Sequence, residues 1–334
     1  MVSQPPDRPD AAQPRGPAEP ATDVGGVSTL SLPGIEFLKD AVDCHVHVCP
    51  HINARTISVF EATRQAAAAR MRGIGLMDNF GNSSGYAALV MRELGHLGVD
   101  VFGGPILEPC AGGVSPYVVK IALDYGYGPG TGARFVSLPT HHTRNVAISE
   151  GRSPAYIEDC FHVPLSGELQ DATKEVLDLI ARRDIVLNTG FVSADEAARL
   201  CEEAVSRGVG RIIVPAVDHP EDMIRDIVAT GAYAEFFFFG LTHATHAAGA
   251  NVEAQINSPS AVSLSETAAR IRAAGPDHAI LSGDLGIAVL PPPVEGLREF
   301  LLTIRSAGFS DDEIRTMVVR NPSRLFKVGQ STSA

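Results

Sequence analysis

Asp43-Cys44-His45-Val46-His47 ends the first apolar run of the chain, and it carries two imidazoles at a spacing that suits a metal ion. Successive side chains of a strand leave on opposite faces, so His45 and His47 project the same way. Two imidazoles on one face, at a strand's C-terminal end, can hold one divalent cation. Ser282-Gly283-Asp284 ends another apolar run far downstream and offers the carboxylate that completes such a site. The alternative is two surface histidines on an edge strand. Val42, Val46 and Val48 argue against it, because they make the opposite face apolar.

Other chemistry-bearing residues also gather where apolar runs end. They are Asp78-Asn79, Glu108, Thr140-His141-His142, Val217-Asp218-His219-Pro220 and Thr242-His243-Ala244-Thr245-His246. Seven of the eleven histidines fall within a few residues of such ends, a distribution that a core does not need and a buried metal does. His219 is the candidate for a further ligand, although Asp218-His219-Pro220 also reads as a turn capping the next helix. His141 and His142 point opposite ways, so only one of them can face the axis, and the sequence leaves open which. His142 or His243 could stabilise charge developing on a carbonyl oxygen. His141, Glu108, Phe191 and Asn79 are candidate substrate contacts. Cys49 shares the parity of His45 and His47, whereas Cys44 does not and should pack. Glu235, beside Phe236 to Phe239, must be paired or exposed, since burying it alone is costly.

Elements able to bring these ends together follow from the pattern. Strands are expected over Ala41 to His47, Gly73 to Asp78, Asp100 to Leu107, Arg134 to Pro139, Ile185 to Thr189, Arg211 to Val217, Tyr233 to Leu241 and Ala279 to Gly283. Their continuous apolar character suits parallel strands covered on both sides. Helices are expected between them, over Ser58 to Arg70, Ala172 to Arg182 and Asp195 to Ser206. Ser193 with Glu196, and Ser310 with Glu313, have capping-box spacing. Gly73, Gly98, Gly208 and Gly231 stand where left-handed helix ends are expected.

Strand and helix alternating in this order predict a (β/α)8 TIM-type barrel in the α/β class, whose sites lie where the strands end. Residues 1–33 read as a disordered leader, 34–328 as one barrel domain and 329–334 as a tail. Residues 143–168 lack helical periodicity and read as a lid-like loop. Ala247 to Ser263, with Asn251, Gln255 and Asn257, reads as a second cover. The Gly126 to Gly132 segment precedes a strand and lacks a Lys-Ser/Thr ending, so it is a connection and not a phosphate loop.

Composition narrows the partners. A formal net charge of -12 argues against nucleic acid. No apolar run approaches the roughly 18 residues of a membrane helix. Five cysteines without ribbon spacing suggest reduced thiols in a cytoplasmic protein. The expected partner is a small-molecule substrate.

Taken together, these features resemble the amidohydrolase superfamily of metal-dependent hydrolases, marked by His-x-His after the first barrel strand and Asp after the eighth. The resemblance runs from Asp43 to Asn321-Pro322-Ser323-Arg324-Leu325-Phe326, which looks like the helix that follows the last strand in many members. Within the superfamily the chain is similar to a poorly characterised amidohydrolase-like group through Phe102-Gly103-Gly104, Leu138-Pro139-Thr140 and Leu187-Asn188-Thr189-Gly190. The resemblance implies that His45, His47 and Asp284 are metal ligands and that His219 is the strand-six histidine.

Two departures stand out. Strand five ends Thr189-Gly190-Phe191 without a ligand histidine, and strand four ends without a lysine. Both favour one metal over two. Zinc suits histidine-rich ligation best, with manganese, iron or nickel as alternatives. The implied activity is hydrolysis of an amide, cyclic amide or lactone by metal-activated water, whose pKa falls from about 16 toward 7, with Asp284 as base. A decarboxylase or lyase of the same superfamily, or a barrel that binds a ligand without turnover, are the alternatives. Barrels of this type often pair, so a homo-oligomer is also expected, with no interface identified.

Overall fold

The computed structural model describes residues 32–244 and 261–329. The chain partitions into Met1–Leu32 and Pro33–Ala334, and the barrel belongs wholly to the second unit. The expected leader and tail lie almost entirely outside the described residues. His246 and the polar residues of the second cover (Asn251, Gln255, Asn257) lie outside them too.

Eight strands form in chain order: β1 Val42–Val46, β2 Gly73–Leu76, β3 Asp100–Gly103, β4 Phe135–Ser137, β5 Val186–Asn188, β6 Ile212–Pro215, β7 Tyr233–Phe237 and β8 Ala279–Ser282. All pairings are parallel, in the orders β1-β2-β3 and β4-β5-β6-β7-β8. Two seams join these sheets into a ring. Ile106 bridges Ser137 between β3 and β4, and Val46 bridges Leu285 between β1 and the end of β8. The fold is therefore the (β/α)8 barrel. Strand residues are buried almost throughout, which is why they read as continuous apolar runs and not as alternation. Each strand is shorter than its run, because the run continues into the turn that follows. Phe238–Leu241, for instance, leaves β7 as a turn of 3₁₀ helix.

Helices Val59–Ala68, Asp171–Arg183 and Ala194–Ser206 occupy the expected places. Both expected capping boxes form, and Ser58 with Glu61 and Ser263 with Glu266 form two more. Gly98, Gly208 and Gly231 take positive φ as expected. Gly73 does not. Arg70 makes the left-handed turn at φ 59, while Gly73 opens β2.

Residues 143–168 are also more ordered than their pattern implies. They hold helices Arg144–Ser149 and Pro154–Asp159, capped by the Thr143 and Ser153 hydroxyls. Six-residue helices are too short to show a period and are set by their caps instead.

Val42, Phe102, Phe135, Val186, Ile213 and Ile280 fill the barrel. Phe326 stacks on Phe102 with ring centroids 4.8 Å apart, closing the end where the strands begin. Arg134 donates to the Phe326 carbonyl, and Arg211 Nη1 donates to the Arg324 and Leu325 carbonyls at 2.7 and 2.9 Å. Asn321 Nδ2 donates to the Pro276 and Ala279 carbonyls at 2.8 and 2.7 Å, tying the last helix to the start of β8.

The β3–β4 seam explains the Phe102-Gly103-Gly104 stretch. A Cβ on Gly104 would meet the Phe135 carbonyl oxygen at 2.1 Å, and one on Gly103 would meet Ser83 backbone at 2.6 Å. Gly104→Ala should therefore force the seam apart and destabilise the fold by about 1–3 kcal/mol or more. A lower denaturant midpoint with unchanged slope is the expected reading.

Candidate metal centre

The β1–β8 seam builds the site. Asp284 N donates to the His45 carbonyl at 2.9 Å, and His47 N donates to the Leu285 carbonyl at 2.8 Å. Asp43 fastens the same seam from beneath, its Oδ1 accepting from Gly283 N at 2.9 Å and from His45 N at 3.1 Å. Asp284 itself takes φ 50, a left-handed conformation that short polar residues tolerate best. Its Oδ1 lies 3.3 Å from His45 Nε2 and 2.9 Å from His47 Nε2, and all three side chains are buried. Their ligand atoms fall within 4.8 Å of one another, and no other group of His, Cys, Asp and Glu among the described residues converges in this way.

Each ring is held at its far nitrogen. His45 Nδ1 lies 3.2 Å from Glu235 Oε1, and His47 Nδ1 lies 3.1 Å from the Met77 carbonyl. Both nitrogens of both rings thus face oxygen. His47, held neutral by burial, has one N–H, so either tautomer leaves one of its lone pairs pointed at an oxygen. A cation among the three ligand atoms removes that conflict. Bonds of about 2.0–2.1 Å to a tetrahedral ion place its ligand atoms about 3.3 Å apart, close to the two distances from Asp284 Oδ1. Carbonyl and carboxylate partners at the outer nitrogens are the usual supports of metal-bound histidines. The residues fit a divalent ion.

The electrostatics agree. Burial pulls His45 toward its neutral form, but Asp284 and Glu235 on either side outweigh it and raise its pKa to about 9. Burial lowers His47 to about 4, against the opposing hydrogen bond to Asp284. Burial would raise Asp284; the positive field of His45 and the His47 contact reverse this and hold it below the ordinary carboxylate value. Burial lifts Asp43 to about 7.

Asn79, His141 and Phe191 line the cavity beside the cluster, with Met77, Ser137, Thr140 and Asn188. At about 20 Å³ it has room for an ion or a water, not for a whole substrate. His141 is the inward member of its pair, its Nε2 lying 2.6 Å from Asn79 Nδ2.

Several expected residues are not brought to the cluster. His142 lies in a separate cleft against Tyr156 and 3.8 Å from Asp159, because it follows His141 and leaves on the opposite side. His243 is exposed in another cleft with Phe238 and Val262, since the turn after β7 carries the chain outward before reaching it. His219 is buried with Nδ1 3.2 Å from Asp218 Oδ1 and Nε2 without a hydrogen-bond partner, but it stands outside the three-residue group. Glu108 lines no part of the cavity. Its Oε1 accepts from the Thr140 and His141 amides, each at 2.6 Å, and its Oε2 from the His142 amide at 3.1 Å. It holds the loop that presents His141.

Sequence reasoning left the role of Glu235 open. Besides His45 it accepts from Ser282 Oγ at 2.7 Å and lies 3.6 Å from Cys44 Sγ, while its Oε2 is buried without a partner. A lone acid in the apolar run Tyr233-Ala234-Glu235-Phe236 was the signal, since only a partner justifies burying it. Cys44 shares this carboxylate with His45 despite opposite strand parity, and the β1–β2 register shifts between Asp43 and Val46.

A family model described as a family of unknown function, DUF6282, matches residues 40–235. No curated protein matches the sequence. Among solved structures, a PTE-like lactonase mutant from Deinococcus radiodurans superposes with TM-score 0.54 at 15% identity, covering 89% of this chain and 98% of that one. An organophosphorus hydrolase from the same organism gives 0.50 at 16%, covering 80% and 82%. An amidohydrolase from Pseudomonas aeruginosa gives 0.50 at 10%, covering 89% and 99%. At these identities the likeness is one of fold.

Glu108→Gln tests the loop-holding role. An amide nitrogen in place of one oxygen sets donor against donor at the 140–142 amides, and a loss of about 1–3 kcal/mol is expected. Faster hydrogen exchange at the His142 amide should accompany it.

Proposed function

The chain belongs to the family of unknown function DUF6282, and we propose that it is a metal-dependent hydrolase acting on an amide, cyclic amide or lactone bond of a small molecule. The observation that carries this reading is the convergence of His45 Nε2, His47 Nε2 and Asp284 Oδ1 at the C-terminal end of a closed barrel. That end is where this fold keeps its chemistry. The likeness to lactonase and amidohydrolase barrels, and the His-x-His and Asp positions, support the same reading.

His45, His47 and Asp284 would hold one divalent ion, and zinc suits two imidazoles and a carboxylate. When bound, such an ion supplies Lewis acidity, polarising an oxygen and lowering the pKa of a water. Asn188, Ser137 and Thr140 occupy the cavity wall where β4 and β5 end, and none of them is a strong metal ligand, which favours one ion over two. Asp284 Oδ1 faces both rings, so its second oxygen is the group to take a proton from an attacking water and return it to the leaving atom. Asn79 donates toward His141 Nε2 and fixes at the cavity wall the imidazole that would steady negative charge on a substrate oxygen. Phe191 and Phe237 bound the site on its apolar side, with Phe237 edge-on to His45 at 5.6 Å. Five unpaired cysteines suit a reducing cytoplasm. Among the described residues no helix is long and apolar enough to cross a membrane.

Two measurements test the reading. The protein purified without chelator and supplied with zinc should hold about one equivalent, and His47→Ala should lose most of it, as read by elemental analysis. Metal-loaded Asp284→Asn should lose at least about 100-fold in kcat on a lactone or amide that the wild type opens. Full activity of that variant would refute the proton route. Labelled water entering the product separates hydrolysis from decarboxylation, which would release carbon dioxide without it.

A further inference from the structure

Arg55 is the cationic side chain near the site with a buried, unpartnered donor. The segment that carries it runs beside the chain leaving β8. Thr56 N donates to the Gly286 carbonyl at 2.8 Å, Ala288 N donates to the Ala54 carbonyl at 3.2 Å, and Arg55 bridges Ile287. This places Arg55 at the mouth of the cluster, one imidazole away from it. Its Nη2 lies 2.8 Å from His51 Nε2, and the His51 ring lies 6.4 Å from the His47 ring.

The His51 contact cannot satisfy Arg55. Asn53 N–H donates to His51 Nδ1 at 3.0 Å, so the single proton of a neutral His51 must sit on Nε2, facing the guanidinium. A ring that accepts at Nδ1 carries only the Nε2 proton and is neutral. Two donors therefore meet where Arg55 needs an acceptor. Its Nε is buried with no partner, and among the described residues no carboxylate oxygen comes within the 4.0 Å of an ion pair. A half-buried guanidinium whose Nε lacks an acceptor is costly unless something anionic arrives to meet it.

We propose that Arg55 is an anion-binding group at the mouth of the metal centre, and that the molecule the chain acts on carries a carboxylate that docks there. A carboxylate matches the planar fork of a guanidinium in two parallel hydrogen bonds. Asp284 and Asp78 are the acids whose fields reach Arg55. With the fields of two acids already acting on it, one guanidinium suits a single negative charge better than the two of a phosphate. In a chain of net charge -12, an anion stays only where a cation is presented to it. The identity of the ligand as a substrate rests on the hydrolase reading; its binding does not.

The test is calorimetric titration of glutarate, and of its neutral diamide, into the full chain before and after chelator treatment. Chelator-treated wild type should bind glutarate in clear preference to the diamide. Arg55→Met should bind glutarate roughly 10- to 100-fold more weakly, as loss of a charge-assisted pair implies. Arg55→Gln, uncharged but polar, is the second variant should the first fail to fold, and it should show the same loss. Wild-type affinity for glutarate in either folded variant, or no preference for glutarate over the diamide in the wild type, overturns the inference. If the variants lose glutarate while the metal-loaded chain opens no lactone or amide, the anion site stands and the hydrolase reading falls. The reverse pattern removes the anion site alone.

Discussion

The seam between the first and last strands is the contact on which both the architecture and the chemistry depend. Asp284 N to the His45 carbonyl and His47 N to the Leu285 carbonyl are hydrogen bonds that close the ring. The same two bonds set the three candidate ligands face to face. Asp43 reinforces the seam from a buried position by accepting from both strands. A barrel left open at this edge would lose its site with its closure, because the ligands sit on opposite sides of the gap. Stability and function are therefore coupled at one place, and the carboxylates buried there are tolerated because backbone amides and imidazoles surround them.

Around that seam the polar groups are unevenly matched, and the imbalance is informative. His47 is caught between two acceptors, the Met77 carbonyl and Asp284. His51, one ring further out, is caught between two donors, the Asn53 amide and Arg55. Proteins seldom leave buried polar groups unmatched. The first mismatch calls for positive charge and the second for negative charge. A cation held at the strand ends and an anionic group at the mouth would satisfy both, and together they describe a ligand with a polar reacting end and a charged handle.

The barrel was legible because parallel strands buried on both sides must be apolar along their length, and glycines and capping boxes punctuate them. All eight strands lie inside their apolar runs. What the pattern could not show was how each run divides between strand and turn. Nor could it show the helices Arg144–Ser149 and Pro154–Asp159, whose existence depends on single capping hydroxyls. Parity placed His45 and His47 together, and it left the His141 and His142 phase open; in the fold the Glu108 carboxylate grips the three loop amides of residues 140–142 and His141 lines the cavity.

By itself the sequence determined which residues could ligate and which strands would carry them, since residue type and strand alternation are local properties. Only the tertiary structure decided which far-apart groups meet. It set Glu235 behind His45, Asp43 across the seam and Arg55 beside His51, and it left His142 and His243 in other clefts. The pairings across the seam, His47 with Asp284 and Asp43 with Gly283, arise when the ring closes, and no local spacing encodes a closure between residues more than two hundred positions apart.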